Sequence, residues 1–445
     1  MSDGSQPGPG TEAGTRRFDG STGRGENQDP TRRAIEPPIR RSVVPSAFGA
    51  LRHRNFRIFY GGQLVSLAGT WMGNTAQAWL VLVLTDSPFY VGLVGALGSL
   101  PVLLLALVAG TVADRMSKLR LVMITQASAM VLAFLMAALV LSERITVPQI
   151  IVIATLLGAV NAFDIPARQS FFVEMVGKED LMNAIALNSS AFNVTRVLGP
   201  AVAGVLIAKL GLGVCFLLNG LSFLAVLTAL FAIRVTPYRP TARPPSAWAH
   251  IREGLRYVTG DRRVSAIVFN IAALSIFGFP FLVLMPVVAR DVLGKGAVEF
   301  GWMSSAVGAG ALAGALMLAA FARRLPKGRM LRWASGSFGV ILFAFAASRS
   351  LALTLVVLVM TGFAMIVNTA TTNTLLQTLT PDELRGRVMS VFTLAFVGMG
   401  PVGALQAGVL ADRVGAPLTL MIGALICVLM TFALFRRVRQ VGELP

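Results

Sequence analysis

A small set of polar residues stands inside apolar stretches of this 445-residue chain, and their spacing carries information. Gln63, Ser66, Thr70, Asn74 and Gln77 recur so that, on a helix, they fall within about 80° of one another, with Trp71 at the edge of the stripe. Amides and hydroxyls that face lipid are costly. The stripe therefore either walls a wet cavity that admits a ligand, with Trp71 as a stacking surface, or hydrogen-bonds to neighbouring helices. Arg196 lies in another apolar run, with Ser189 and Asn193 within about 60° of it. A cation there costs about 2.5–3.5 kcal/mol unless solvated or paired. It either faces the cavity, where it would attract anionic groups, or belongs to a structural ion pair. Asn368 and Thr372 share a face with Thr361, and Asn270 is a more isolated polar residue. Asp164 and Arg168, at i and i+4 around Pro166, form either a local ion pair or, with Glu174, a protonatable switch that responds to desolvation.

Other chemistries lack their residues. There is no GxxxxGK[ST] phosphate loop, no HExxH and no paired CxxC, and His53 and His250 both lie in polar segments. No catalytic set or metal site is expected, and the chain reads as neither an enzyme nor a user of ATP or another cofactor. Cys215 and Cys427 each sit in an apolar run and are expected to be buried thiols.

The elements that hold these residues follow from composition. The chain is 55% hydrophobic and 13% charged, with mean hydropathy +0.71, whereas soluble proteins carry about 25% charged residues. The apolar excess must face lipid, so the chain is an all-α integral membrane protein. Twelve runs long enough to cross a bilayer fall near 59–84, 89–112, 119–141, 149–167, 184–209, 213–234, 264–289, 299–321, 330–348, 351–374, 388–411 and 416–435. Residues 1–50, rich in Gly, Pro, Ser, Thr and Arg, read as a disordered tail without a signal-peptide apolar core. Residues 235–262 read as a polar linker ending in an amphipathic stretch. They separate a six-helix bundle over 51–234 from a second over 263–437, followed by a short tail, 438–445.

Net charge is +18, and the placement of the basic residues decides what that means. Only Arg144, Lys209, Arg290, Lys295, Arg349 and Arg413 fall in one set of alternate loops, and apart from Arg196 the rest fall on the other side. This is the positive-inside pattern with both termini cytoplasmic; it accounts for the charge without nucleic acid as a partner. The two halves also resemble each other. A shift of 203 or 204 residues superposes Gly158 on Gly362, Leu181 on Leu384 and Gly204 on Gly408, and each half has a Gly-Pro pair, Gly199-Pro200 and Gly400-Pro401. A duplicated six-helix unit places a substrate site between the halves near mid-membrane.

Between the second and third spans the chain reads GTVADRMSKLR. Gly110, Asp114, Arg115, Lys118 and Arg120 stand at the positions of the loop signature of the major facilitator superfamily, which the chain resembles. The resemblance implies that this loop latches the cytoplasmic ends of the two bundles, with Gly110 allowing close helix approach and Asp114 and Arg115 forming the latch. GVLADR, Gly408 to Arg413, has the same spacing, but span parity puts it on the opposite face. The segments DIPARQSFFVEMVGKEDLMNAIALNSSAFNVTRVLGPAVAG and NTLLQTLTPDELRGRVMS resemble the branch containing the enterobactin exporter and macrolide-efflux-like permeases. That branch implies export of a hydrophobic or amphipathic small molecule, such as a drug, macrolide-like compound or siderophore, from a monomer in a bacterial inner membrane. Proton antiport is implied by the superfamily, although the RxxQG pattern of many proton-coupled drug antiporters is missing here. Metabolite uptake by the same fold and a non-transporting membrane sensor are the alternatives.

Overall fold

The computed structural model describes residues 48–234, 247–321 and 325–438, so most of the expected tail and the first part of the linker lie outside the described residues. The expected tail runs a little too far. Gly49 and Ala50 are buried in a 3₁₀ turn, where the Ala50 amide donates to Asn183 (2.8 Å) and His53 contacts Asp180 (2.8 Å).

The first half comprises α1 (Arg54–Thr85), α2 (Pro88–Arg115), α3 (Lys118–Leu141), α4 (Val147–Val176), α5 (Leu181–Leu210) and α6 (Leu212–Ala232). A short helix, α7 (Ala247–Gly260), leads into α8 (Arg262–Val292), α9 (Ala297–Phe321), α10 (Lys327–Ala347), α11 (Leu351–Leu379), α12 (Asp382–Val414) and α13 (Ala416–Arg437). Eleven of these helices are long and apolar enough to cross a bilayer. The twelfth span, α1, is 32 residues long but carries the polar stripe, which lowers its hydropathy. The described residues form no strand. This is the fold expected from the sequence, two six-helix bundles.

Local signals set the helix ends. Pro88 and Pro417 stand in first turns, where a missing amide hydrogen costs little. A Thr146–Gln149 capping box starts α4. Gly211 and Gly415 turn α5 into α6 and α12 into α13 at φ 85° and 84°, a conformation that disfavours a side chain. These turns lie at equivalent places in the two halves.

Helix packing repeats as well. In the first half α2 packs on α4, α1 and α3 on α6; in the second, α9 packs on α11, α8 and α10 on α13. Small residues permit these contacts, since helices in lipid associate through close packing. A Cβ on Gly158 would overlap the Gly98 carbonyl, and one on its repeat partner Gly362 would overlap the Val307 carbonyl. The helix α7 docks on α12: Gly254 lies against the Arg387 backbone, Glu253 pairs with Arg387, and Tyr257 donates to the Leu379 carbonyl (3.3 Å). Within α8 a π-turn at Leu274–Gly278 precedes Pro280, and α12 has another at Leu394–Gly398. Ser275 donates to the Phe396 carbonyl (2.5 Å), so the two irregular turns hold each other.

Candidate functional site

The bundles meet along α5 with α9 and α2 with α12. One face of the assembly carries the α1–α2 turn at Asp86; the other carries Arg115. On the Asp86 side the seam is tight. A Cβ on Gly204 would come 2.6 Å from the Ala297 carbonyl, and Gly308 lies against the Arg196 carbonyl. On the other pair of helices, Gly92 and Gly408 abut one another. Trp79 stacks on Phe300 (centroids 5.7 Å apart), and Ser305 donates to the Val197 carbonyl (2.6 Å). Polar contacts cap the seam: Ser87 donates to Asp412 (2.6 Å), and Arg290 reaches Asp86 (2.5 Å) and the Leu82 carbonyl (3.1 Å). Asp86 supplies its carboxylate from the left-handed region, at φ 51°, which aspartate tolerates better than most residues.

Arg290 was legible only as a basic loop residue; its clasp across the bundles was not. Arg290→Ala is expected to weaken the closed Asp86 face by about 1–2 kcal/mol, combining a largely exposed ion pair with a hydrogen bond to a carbonyl. A cysteine placed at Ser87 in that variant should be labelled by an impermeant maleimide several-fold faster.

The Arg115 side differs. Asp114, Arg115 and Arg120 are exposed, and a Cβ on Gly110 would meet open space. Among the described residues, the expected close approach at Gly110 is therefore not made. Lys118 is also placed differently from the expectation. It is buried, and its ammonium lies 3.9 Å from Glu174 of the first bundle. Asp412 of GVLADR lies on the opposite face from Asp114, as span parity requires.

The α1 stripe divides in two. Gly62, Gly69 and Gly73 press on α6 at Ala225, Ser222 and Asn219. Gln63 and Ser66, each 2% exposed, are buried beside that packing and do not line open space. Thr70, Trp71 and Gln77 are half-buried, and Asn74 is exposed at mid-span. Trp71 packs edge-on against Phe192 of α5 (5.4 Å) and over Gly199. Thr70, Trp71, Asn74 and Gln77 are thus the part of the stripe that fits a wet wall.

Arg196 sits beside this wall on α5. Among the described residues no carboxylate pairs with it, and its Nη2 is buried without a hydrogen-bond partner. The structural ion pair considered for it is not formed. Asn270, Asn368 and Thr372 also depart from the cavity reading. Asn270 and Asn368 both donate to Ser335 (3.1 and 2.5 Å), and Thr431 lies 3.5 Å from Asn270. All four, like Thr372, are buried inside the second bundle. Ser335 was missed by sequence reasoning; its only signal was a hydroxyl inside an apolar run. Asp164, 4% exposed, accepts from Thr125 (2.8 Å) and Gln126 (2.9 Å) of α3 and pairs with Arg168 (3.2 Å). Its oxygens are engaged within the first bundle.

Comparison with known proteins agrees with this architecture. The family described as transmembrane secretion effector matches residues 45–443. The staphyloferrin A transporter of Staphylococcus aureus is 26% identical over 386 residues, covering 86% of this chain and 96% of that protein. The multidrug efflux pump Tap of Mycolicibacterium fortuitum is 29% identical over 370 residues, covering 80% and 89%. The enterobactin exporter EntS of Escherichia coli O127:H6 is 24% identical over 400 residues, covering 87% and 94%. Among solved structures, an inward-facing bacterial homologue of the human lysosomal transporter Spinster superposes with TM-score 0.69 at 14% identity, covering 90% of this chain and 98% of that one.

Proposed function

The chain belongs to the transmembrane secretion effector family of the major facilitator superfamily, and from that premise we propose that it is a secondary active exporter of hydrophobic or amphipathic small molecules, drugs or siderophores, working by alternating access. One observation carries the reading: the seam is sealed on the Asp86 face, while on the Arg115 face Asp114, Arg115 and Arg120 are exposed and no described residue approaches Gly110. Between them lies a polar wall of Thr70, Asn74 and Gln77 beside Trp71 and the unpaired Arg196. A transporter open to one side needs such a wall between its bundles. The aromatic pair Trp71–Phe192 suits an apolar ring system, and Arg196 suits an acidic group on the same ligand.

In this reading the Arg115 face is cytoplasmic and both termini are inside, in a bacterial inner membrane. When that face closes, Asp114 and Arg115 join the bundles while the Arg290 clasp opens. No ATP or cofactor takes part, and a monomer suffices. The energy source is a proton gradient. Glu174 beside Lys118 is the better proton carrier, because a proton on Glu174 would release an ion pair near the opening face. Asp164 already has every donor it needs.

Cells lacking other efflux pumps, with and without the protein, should test this with a panel of lipophilic dyes, antibiotics and ferric-siderophore precursors. Accumulation is expected to fall several-fold in expressing cells and to be restored by a protonophore. Higher accumulation in expressing cells would replace export by uptake. Unchanged accumulation across the panel, with the protein verified in the membrane, would count against transport of this substrate class.

A further inference from the structure

Away from the seam, on the outer surface of the second bundle, α10 and α13 diverge toward the Arg115 face and leave a cleft of about 880 Å³. Three guanidinium groups rim it: Arg329 and Arg332 in the first two turns of α10, and Arg436 near the end of α13. Among the described residues, none of the three is within salt-bridge distance of a carboxylate. Arg436 lies over the Phe432 ring, 4.6 Å from its centroid. Below this rim the cleft is apolar, running past Trp333, Phe432 and Val428 to Val340, which is about 12 Å deeper than Arg332 along the helix. A Cβ on Gly336, in the cleft wall, would meet nothing, so a slot the width of a hydrocarbon chain stays open.

A second cleft, of about 440 Å³, lies on the other side of α10 and is lined by Met317, Met330, Phe363 and Val367. The two clefts share Arg329, Trp333 and Ser337. Trp333, 71% exposed, therefore stands as a ridge between two apolar grooves, with Arg329 at the head of both. Indole at this depth marks the membrane interface, and basic pockets between spans at the cytoplasmic side select anionic lipid head groups. A positive-inside bias accounts for basic residues near this end of the chain. It does not account for three of them converging, without carboxylate partners among the described residues, on the rim of a cleft that divides in two.

We propose that this surface is a binding site for one anionic phospholipid. Its phosphate is held by Arg329, Arg332 and Arg436, and its two acyl chains lie in the grooves on either side of Trp333. The bound lipid ties the ends of α10 and α13 together at the face that opens and closes. The inference is independent of what the protein exports.

The test uses the full-length protein, delipidated in detergent, with native mass spectrometry of retained phosphatidylglycerol against phosphatidylcholine of the same chain length. The wild type is expected to retain phosphatidylglycerol at least tenfold better. The triple variant Arg329→Gln, Arg332→Gln, Arg436→Gln should lose that preference, since each arginine near the surface contributes roughly a fivefold attraction. Gly336→Phe fills the slot and leaves the arginines in place; it should lower retention several-fold. Glycerol 3-phosphate, which carries the anion without chains, should not displace the lipid. A triple variant that keeps the preference would overturn the proposal. So would displacement by glycerol 3-phosphate combined with no effect of Gly336→Phe, which would leave only a site for soluble phosphate.

Discussion

Asp164→Ala is expected to lower the stability of the protein by about 3–5 kcal/mol, the range found when one partner of a buried ion pair is removed. The carboxylate is 4% exposed and gathers three donors, Thr125 and Gln126 from α3 and Arg168 from its own helix. Truncation leaves the Arg168 guanidinium, itself 21% exposed, without its counter-charge, and strands the Gln126 amide. Asp164→Asn keeps one acceptor oxygen and should cost less, about 1–3 kcal/mol. Thermal denaturation of the purified variants orders the three proteins: wild type, then Asn, then Ala. An Asn variant that melts like the wild type but loses coupling to protons would instead make Asp164 the proton carrier and displace Glu174 from that role.

The second large effect is expected at the seam. Gly204→Leu inserts four carbons where a single Cβ would already lie 2.6 Å from the Ala297 carbonyl and 3.0 Å from the Val298 Cα. Overpacking of this kind typically costs 1–3 kcal/mol or more. Here the cost falls on the closed Asp86 face, because the two helices belong to different bundles and can relieve it by moving apart. The population closed on that face should drop by roughly 5- to 150-fold, with transport falling accordingly, while the bundles themselves stay folded. Gly408→Leu, at the equivalent place against Gly92, should do the same. A cysteine at Asn74 reports the change. Cys215 and Cys427 are buried, so labelling reads the introduced thiol. Faster labelling from the Asp86 side is expected; unchanged labelling together with unchanged transport would show that this seam does not open.

These residues also mark where reasoning from the sequence reached and where it stopped. The repeat was readable because its glycines do the same job twice. Gly158 and Gly362 press on second-span backbones, while Gly204 and Gly408 press across the seam. The stripe on α1 was readable as a stripe, but helical spacing cannot tell a neighbouring helix from a cavity. Gly62, Gly69 and Gly73 decide the question by bringing α6 close to Gln63 and Ser66. Asn270 and Asn368 posed the same problem; their shared partner, Ser335, lies 65 and 33 residues away along the chain. Gly110 and Lys118 share one motif, and the motif alone places both in a single latch. The fold gives them different surroundings, with no described residue near Gly110 and Lys118 buried beside Glu174. Arg290 was invisible as a clasp because its partners, Asp86 and the Leu82 carbonyl, lie about two hundred residues earlier.

The proposed export requires one motion, the opening of the Asp86 face. Ser87 and Asp412 cap that face 2.6 Å apart, one from each bundle. Ser87→Cys combined with Asp412→Cys, bridged by a short bifunctional thiosulfonate, should hold it shut. Export of a dye or siderophore from cells or vesicles carrying this variant is predicted to stop on bridging and to return after reduction, while either single-cysteine variant is unaffected. Undiminished export by the fully bridged protein would contradict the account, because the substrate would then leave by a route that never opens this face.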